Sequence, residues 1–299
     1  MWFFLSCFSF GISLLIKPTT IFYGLPLLIL FMRKYKYNLP KQLHVILYFV
    51  LAAAPLLIWR YYITNFPEGI PASNWLFTQV NTSEGQKEIF MRPAFFRWIF
   101  YERLNNLILG GYLTVFFILG IIRKQGTLLP LSIIASGFIY IFVFQGGNVQ
   151  HEYYQVIAFP AIALAIGLGV ALIIESTKTF LHPLITTPVI LLLFCASFLF
   201  SWYQVKGYYV IPQDLLLMAK IIKTFTKPTD KIIADRMGDT TLLYLSDRKG
   251  SALLYREPEE MVKMGYQYIL TDKREVIEKL DLLKFEKLFE NNQFALFAL

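Results

Sequence analysis

The sequence predicts a polytopic α-helical membrane protein with about seven transmembrane helices and a small C-terminal α/β extracytoplasmic domain. The first observation behind this is composition: 56% of the side chains are hydrophobic and only 16% charged, against about 25% charged in an average soluble domain. The second is the recurrence of long apolar runs through residues 1–202. The third is a change of character at about 203. Residues 1–202 hold thirteen Lys or Arg and six Asp or Glu, whereas 203–299 hold fifteen and fourteen. The net charge of +8 therefore belongs almost wholly to the apolar part. There it reads as topology signals and contacts to lipid phosphate, which excludes a nucleic-acid surface.

A helix that crosses the hydrocarbon core needs about 20 mostly apolar residues, because lipid offers no partner to an exposed amide. Candidate runs lie at about 1–16, 18–32, 43–60, 106–122, 127–144, 155–174 and 184–202. The first two are short and are divided by Lys17 and Pro18, which predicts a tight turn. Run 1–16 lacks the basic start and small-residue exit of a cleavable signal. Arg33, Lys34, Lys36 and Lys41 in one short loop, and Arg123 and Lys124 in another, predict that both loops are cytoplasmic. The Lys17 turn, the 61–105 loop, the "QGGNVQHEYY" loop and everything beyond 203 then share the outer face.

The 61–105 loop is long for a connector and ends in "RPAFFRWIFYERLNNL". Arg92, Arg97 and Arg103 alternate there with aromatics, the pattern of a helix lying in the interface. In the last hundred residues "QDLLLMAKIIKTF" has helical period, and "KIIADR", "SALLY", "YQYILTD" and "FEKLFE" read as short strands. No phosphate-binding loop, GxGxxG, HExxH or GxSxG marks a chemistry. Asp230, Asp235, Asp239 and Asp247 read as solvent-facing acids.

Cys7 and Cys195 fall within apolar runs and behave as small hydrophobes. His44, His151 and His182 are divided between the two sides of the membrane and form no common metal site. No cofactor is evident, and the sequence assigns no divalent metal. Asn81-Thr82-Ser83 matches a glycosylation sequon.

Lys17 admits two readings. One is an amine that snorkels to the interface. The other uses Pro18 as the first residue of a helix, which places the amine beside free backbone N–H groups and attracts phosphate. His151 is a second phosphate donor, on the same face, with Tyr153 and Tyr154 beside it or serving as interfacial anchors. Arg60, Arg92 and Arg97 are further candidates to clamp a phosphate oxyanion, with lipid headgroups as the other role.

In their order, "FGISLLIKPTTIFYGLPLLILF", "HEYYQVIAFPAIALAIGLG" and "PTDKIIADRMGDTTLLYLSDRKG" resemble the GT-C superfamily of integral-membrane glycosyltransferases. The likeness is to its bacterial branch of aminoarabinose transferases and protein O-mannosyltransferases, and it spans nearly the whole chain. The resemblance implies a multi-pass protein of the cell (plasma) membrane that takes a sugar from a polyprenyl-phosphate-linked donor. It would deliver that sugar to a glycan, lipid or protein acceptor on the extracytoplasmic face. Lys17 and His151 would stabilise charge on the departing phosphate. The family's general base, a carboxylate in a loop after the first span, has no counterpart here. Glu68, Glu84, Glu88, Glu102 and Glu152 lack its setting, and the expectation is an N-terminally incomplete chain. A competing class is a non-catalytic binder of a lipid-phosphate carrier, or a transporter subunit. Against a transporter, no charged residue stands near the middle of a span.

Overall fold

The computed structural model describes residues 1–65, 89–124, 126–177 and 182–299, in two compact units, Met1–Val205 and Lys206–Leu299. The sequon at 81–83 and the acids Glu68, Glu84 and Glu88 lie outside the described residues.

In the first unit α1 (Trp2–Ile16) stops where it must. A residue before proline is pushed out of the helical region, and Lys17 is extended, at φ −151° and ψ 111°. Pro18 then opens a 3₁₀ turn, Pro18–Tyr23, that leads into α2 (Gly24–Tyr35). Helix α2 ends with Arg33 and Lys34 in its last turn, where positive charge complements the helix dipole. After α3 (Leu43–Ile63), the described chain resumes near α4 (Pro93–Phe96), which widens into a π-helical stretch at Arg97–Ile108. The remaining helices among the described residues of this unit are α5 (Thr114–Ile122), α6 (Leu128–Val143), α7 (Gln145–Gln150), α8 (Phe159–Ser176) and α9 (Pro183–Val205). A 3₁₀ turn, Glu152–Ala158, joins α7 to α8.

The helices correct the expectation of seven spans. Among the described residues three are long and apolar enough to cross a membrane: Leu43–Ile63, Glu152–Ser176 and a run within Pro183–Phe225 whose part in this unit is α9. The other four apolar runs form helices of 15, 12, 9 and 16 residues. At 1.5 Å rise per residue even the longest reaches only about 24 Å, less than a hydrocarbon core of about 30 Å. Turn-forming residues at Lys17-Pro18 and Gly110-Gly111 cut these runs short.

Two clusters hold the unit. Cys7, Phe10 and Leu14 of α1 pack on Tyr48 and Ala52 of α3, with the Tyr48 hydroxyl 2.7 Å from Ser6 Oγ. The larger cluster joins Ile134, Tyr140 and Ile141 of α6 to Ile162 and Ala165 of α8. Phe95, Ile99 and Leu104 enter it as well. The arginine-rich stretch is therefore rooted in the core on one side and does not lie free on the surface. Helices α5 and α8 touch backbone to backbone: a Cβ added at Gly120 would stand 1.7 Å from Ala165 O, and one at Gly169 would stand 1.9 Å from Phe116 O. Small residues that permit such approach are the usual seam of helix pairs in membranes.

The second unit is a five-stranded sheet of order β2-β1-β3-β5-β4. Its strands are β1 (Lys231–Ile233), β2 (Lys249–Ser251), β3 (Tyr268–Thr271), β4 (Glu286–Glu290) and β5 (Ala295–Ala298). Strand β1 pairs in parallel with β2 and β3, while β5 runs antiparallel to β3 and β4. Parallel neighbours need crossovers, supplied by α11 (Thr241–Ser246) and α12 (Pro258–Lys263). Alternation along the strands sends Ile232, Leu270 and Leu296 to one face, under α10 (Gln213–Phe225) and α11. Ile233, Ile269 and Phe297 go to the other, under α12 and α13 (Arg274–Leu282).

The acids expected at the surface here are corrected in part. The Asp235 side chain is 0% exposed and accepts from Thr271 Oγ1 (2.8 Å), Lys273 Nζ (2.8 Å) and Leu254 N (3.2 Å). Burial is affordable because each oxygen is paired. Asp230 is also buried and caps Lys227 N at 2.7 Å. Asp239 and Asp247 are exposed, and among the described residues no group of three metal-ligating side chains occurs.

Candidate functional site

The Lys17 turn is fastened to two other elements of the first unit. The Ser136 hydroxyl of α6 donates to Phe22 O at 2.8 Å, and the Tyr23 hydroxyl donates to Ile157 O at 2.8 Å. These bonds bring the Lys17-Pro18 corner against the 3₁₀ turn that follows His151. The Lys17 amine stands 4.4 Å from the centre of the Tyr154 ring, a cation–π arrangement. Among the described residues no carboxylate lies within ion-pairing distance of this amine. Thr19, two residues on, buries its hydroxyl without a hydrogen-bond partner.

The facing turn has its own logic. His151 is extended, at φ −124°, and its N–H closes α7 on Gly147 O at 2.9 Å. In a 3₁₀ turn side chains three apart eclipse one another, so His151 and Tyr154 come to lie together, with ring centres 5.0 Å apart. Tyr153 completes the group, 5.3 Å from His151 and 5.0 Å from Tyr154. The backbone beneath is pinned by the Tyr140 hydroxyl, which donates to Tyr154 O at 3.0 Å. Gln155 adds a second pin: its amide donates to Asn148 O at 2.8 Å.

Arg103 approaches the same turn from the π-helical stretch. Its Nη1 pairs with Glu152 Oε1 at 2.8 Å, and its Nη2 donates to Val149 O at 2.8 Å. Its Nε is buried without a partner, a cost of about 1 to 3 kcal/mol for an orphaned donor. The stretch that carries it is bonded i to i+5, as Leu109 N to Leu104 O at 2.9 Å shows. Such widened turns are rare and often mark functional sites.

Of the residues singled out in the sequence, the structure brings together Lys17, His151 and Tyr153. Arg97 is engaged elsewhere, with Glu102 at 2.9 Å, and its side chain is 72% exposed. Arg92 is exposed at the start of α4, and Arg60 is in the last turn of α3. Two further residues join them. Tyr154, which the sequence leaves between a neighbour of His151 and an interfacial anchor, is tied to His151 by the eclipsing of positions three apart. Arg103 reads from the sequence only as one arginine of the interfacial pattern, and nothing local marks its partners 46 and 49 residues on.

No known family model, characterised protein or solved structure matches the chain. The site therefore has to be read from its own chemistry. A half-buried amine resting on the Tyr154 ring with no carboxylate partner among the described residues, beside an imidazole and the Tyr153 phenol, offers hydrogen-bond donors and positive charge to an anion with several oxygens.

Proposed function

We propose that this corner binds the phosphate of a polyprenyl-phosphate sugar, and that the protein is a membrane glycosyltransferase of the GT-C type acting on the extracytoplasmic face. The observation that carries the reading is the Lys17 amine over Tyr154, which joins two segments of the resemblance that are far apart in sequence. In transfer, the bond between the sugar's anomeric carbon and the phosphate oxygen breaks, and the electron pair stays with the phosphate. Lys17 and His151 would hold that growing charge more strongly than the neutral ester oxygen, which lowers the barrier. Three helices long and apolar enough to cross a membrane would seat the chain in the bilayer in which the polyprenyl tail would lie. The acceptor, a glycan, lipid or protein, would approach from the outer side, where this reading also puts the C-terminal unit.

A second reading keeps the phosphate site without transfer. It is favoured by the acids of the first unit: among the described residues Glu102, Glu152 and Glu175 are each ion-paired to an arginine, which leaves none of them poised to take a proton from an acceptor hydroxyl. The protein would then present a lipid-phosphate carrier to a partner.

Binding of decaprenyl phosphate to the full chain in nanodiscs tests both readings at their common step. Lys17→Gln is expected to weaken it at least tenfold, since one charge-assisted contact is worth about 1.5 to 3 kcal/mol. Equal affinity in the variant overturns the site. Release of labelled sugar from the loaded carrier separates transfer from presentation.

A further inference from the structure

We infer that the cleft between α13 and the β4–β5 hairpin binds a neutral glycan, at a second site that belongs wholly to the Lys206–Leu299 unit. The inference does not depend on the phosphate reading of the first unit. The cleft has a volume of about 380 Å³, which falls within the range of small-molecule sites. It opens at the carboxyl ends of β3 and β4, the end at which open α/β sheets usually hold their ligands.

The walls of the cleft are tied to one another. One wall is the face of α13 that carries Arg274, Ile277, Glu278 and Asp281, at the spacing that aligns side chains along a helix. The other is the end of β4 with the turn that follows it. Asn291 closes that turn, its Oδ1 accepting from Gln293 N at 2.8 Å and Phe294 N at 2.9 Å. Lys287 of β4 joins the two walls, since its amine pairs with Asp281 at 2.8 Å and with Glu290 at 3.0 Å. Asp272, beyond the end of β3, is held by Arg236. Four more side chains line the same cleft, those of Arg274, Glu278, Asn292 and Gln293. Among the described residues these make no hydrogen bond or ion pair of their own. One set of polar groups thus fixes the cleft, and another stays open within it.

The open set decides the chemistry of the ligand. It holds a guanidinium, a carboxylate and two amides, so donors and acceptors stand side by side. A sugar hydroxyl both donates and accepts, and neighbouring hydroxyls match the paired polar atoms of these planar groups. The half-buried Ile277 gives the C–H face of a pyranose an apolar patch. An anion would meet the carboxylates of Glu278, Asp281 and Glu290. A metal ion would need three ligating side chains grouped together, and among the described residues there is no such group. An organic cation gains little, because three of the four lining carboxylates are already paired and Arg274 stands one turn from the fourth.

Saturation-transfer NMR on the full chain in phosphatidylcholine nanodiscs tests this, with cellotriose, α-mannotriose and chitotriose as probes. At least one trisaccharide should receive saturation from the protein and titrate to a plateau. Arg274→Ala and Gln293→Ala, both at exposed positions, should each weaken that binding by about threefold or more, as expected for lost hydrogen bonds. Lys249→Ala, at the start of β2 and outside the cleft, is the control and should change nothing. Lys17→Gln should also leave the trisaccharide bound, so failure of the phosphate site and failure of this one are read separately. No saturation of any probe, or binding that survives both cleft variants unchanged, overturns the inference. Displacement of the sugar by inorganic phosphate or calcium chloride overturns the assignment to a neutral ligand.

Discussion

At the residue scale the Lys17–Tyr154 contact is the most informative feature of the site, because the amine faces a ring and not an acid. A ring attracts a cation without neutralising it, so the full charge stays available to an incoming anion. Tyr154→Phe keeps the ring and should bind decaprenyl phosphate within about twofold of wild type. Tyr154→Leu removes the cation's support and should weaken binding by roughly three- to tenfold, in line with about 0.5 to 2 kcal/mol for such a contact. Titration of the same probe into both variants decides the point. The hydroxyl is set apart from this role, since the backbone below it is held by Tyr140 through Tyr154 O. That Lys17 is a special position was legible in the sequence as a lone charge beside proline between two apolar runs. What faces it was not: Tyr154 belongs to the turn after α7, and Ser136 and Tyr23 bring the two turns together through bonds that no local pattern records.

Among the elements, legibility followed local period. The 3.6-residue repeat of 213–225 coincides with α10, and the short apolar runs at 231–236 and 266–272, rich in isoleucine and tyrosine, contain β1 and β3. "SALLY" was displaced: the strand is Lys249–Ser251, an edge strand with no apolar side chain to announce it. Strand β5 was missed: Ala295, Leu296 and Phe297 are buried in succession, as in β1 and β3, but the run holds none of the β-branched residues that announce those strands. Asp235 looked like a surface acid because Thr271 and Lys273, which make its burial tolerable, come 36 and 38 residues later. The start of α11 gives a prediction at this scale. Asp239 accepts from the Thr241 N–H at 2.8 Å and the Thr241 hydroxyl at 2.6 Å, and these bonds hold its carboxyl below the usual range. A group depressed in the folded state contributes stability above its unfolded value, near 3.9, and loses it as pH falls through the lower folded value. Asp239→Ala should therefore cost α11 about 0.5 to 2 kcal/mol near neutral pH, with the difference from wild type fading under strong acid. Amide hydrogen exchange of the Thr241 region in the full chain measures it.

For the molecule as a whole, the division into an apolar unit with a basic excess and an evenly charged α/β unit could be read from composition, while the number of full-length spans could not. Hydropathy counts apolar residues; it does not see that Lys17-Pro18 and the two glycines at 110 and 111, both at positive φ, end helices before they reach membrane length. The candidate site was half legible for a related reason: its residue types are visible, and its assembly depends on helix contacts such as the Gly120–Gly169 seam that set α5 on α8. The cation–ring contact described above also bears on ionic strength. Mobile ions screen exposed charges beyond a Debye length of about 8 Å at 0.15 M, and partly buried ones much less. Arg97, largely solvent-exposed, and Arg92, at an exposed helix start, would hold anionic lipid only by attraction that added electrolyte erases. The Lys17 amine, half withdrawn from water and resting on an aromatic face, would keep its ligand. Raising sodium chloride from 0.05 to about 0.5 M should strip loosely adsorbed anionic lipid from the protein and leave a saturable, Lys17-dependent fraction of decaprenyl phosphate. A chain built this way recognises its headgroup in brine as well as in dilute buffer.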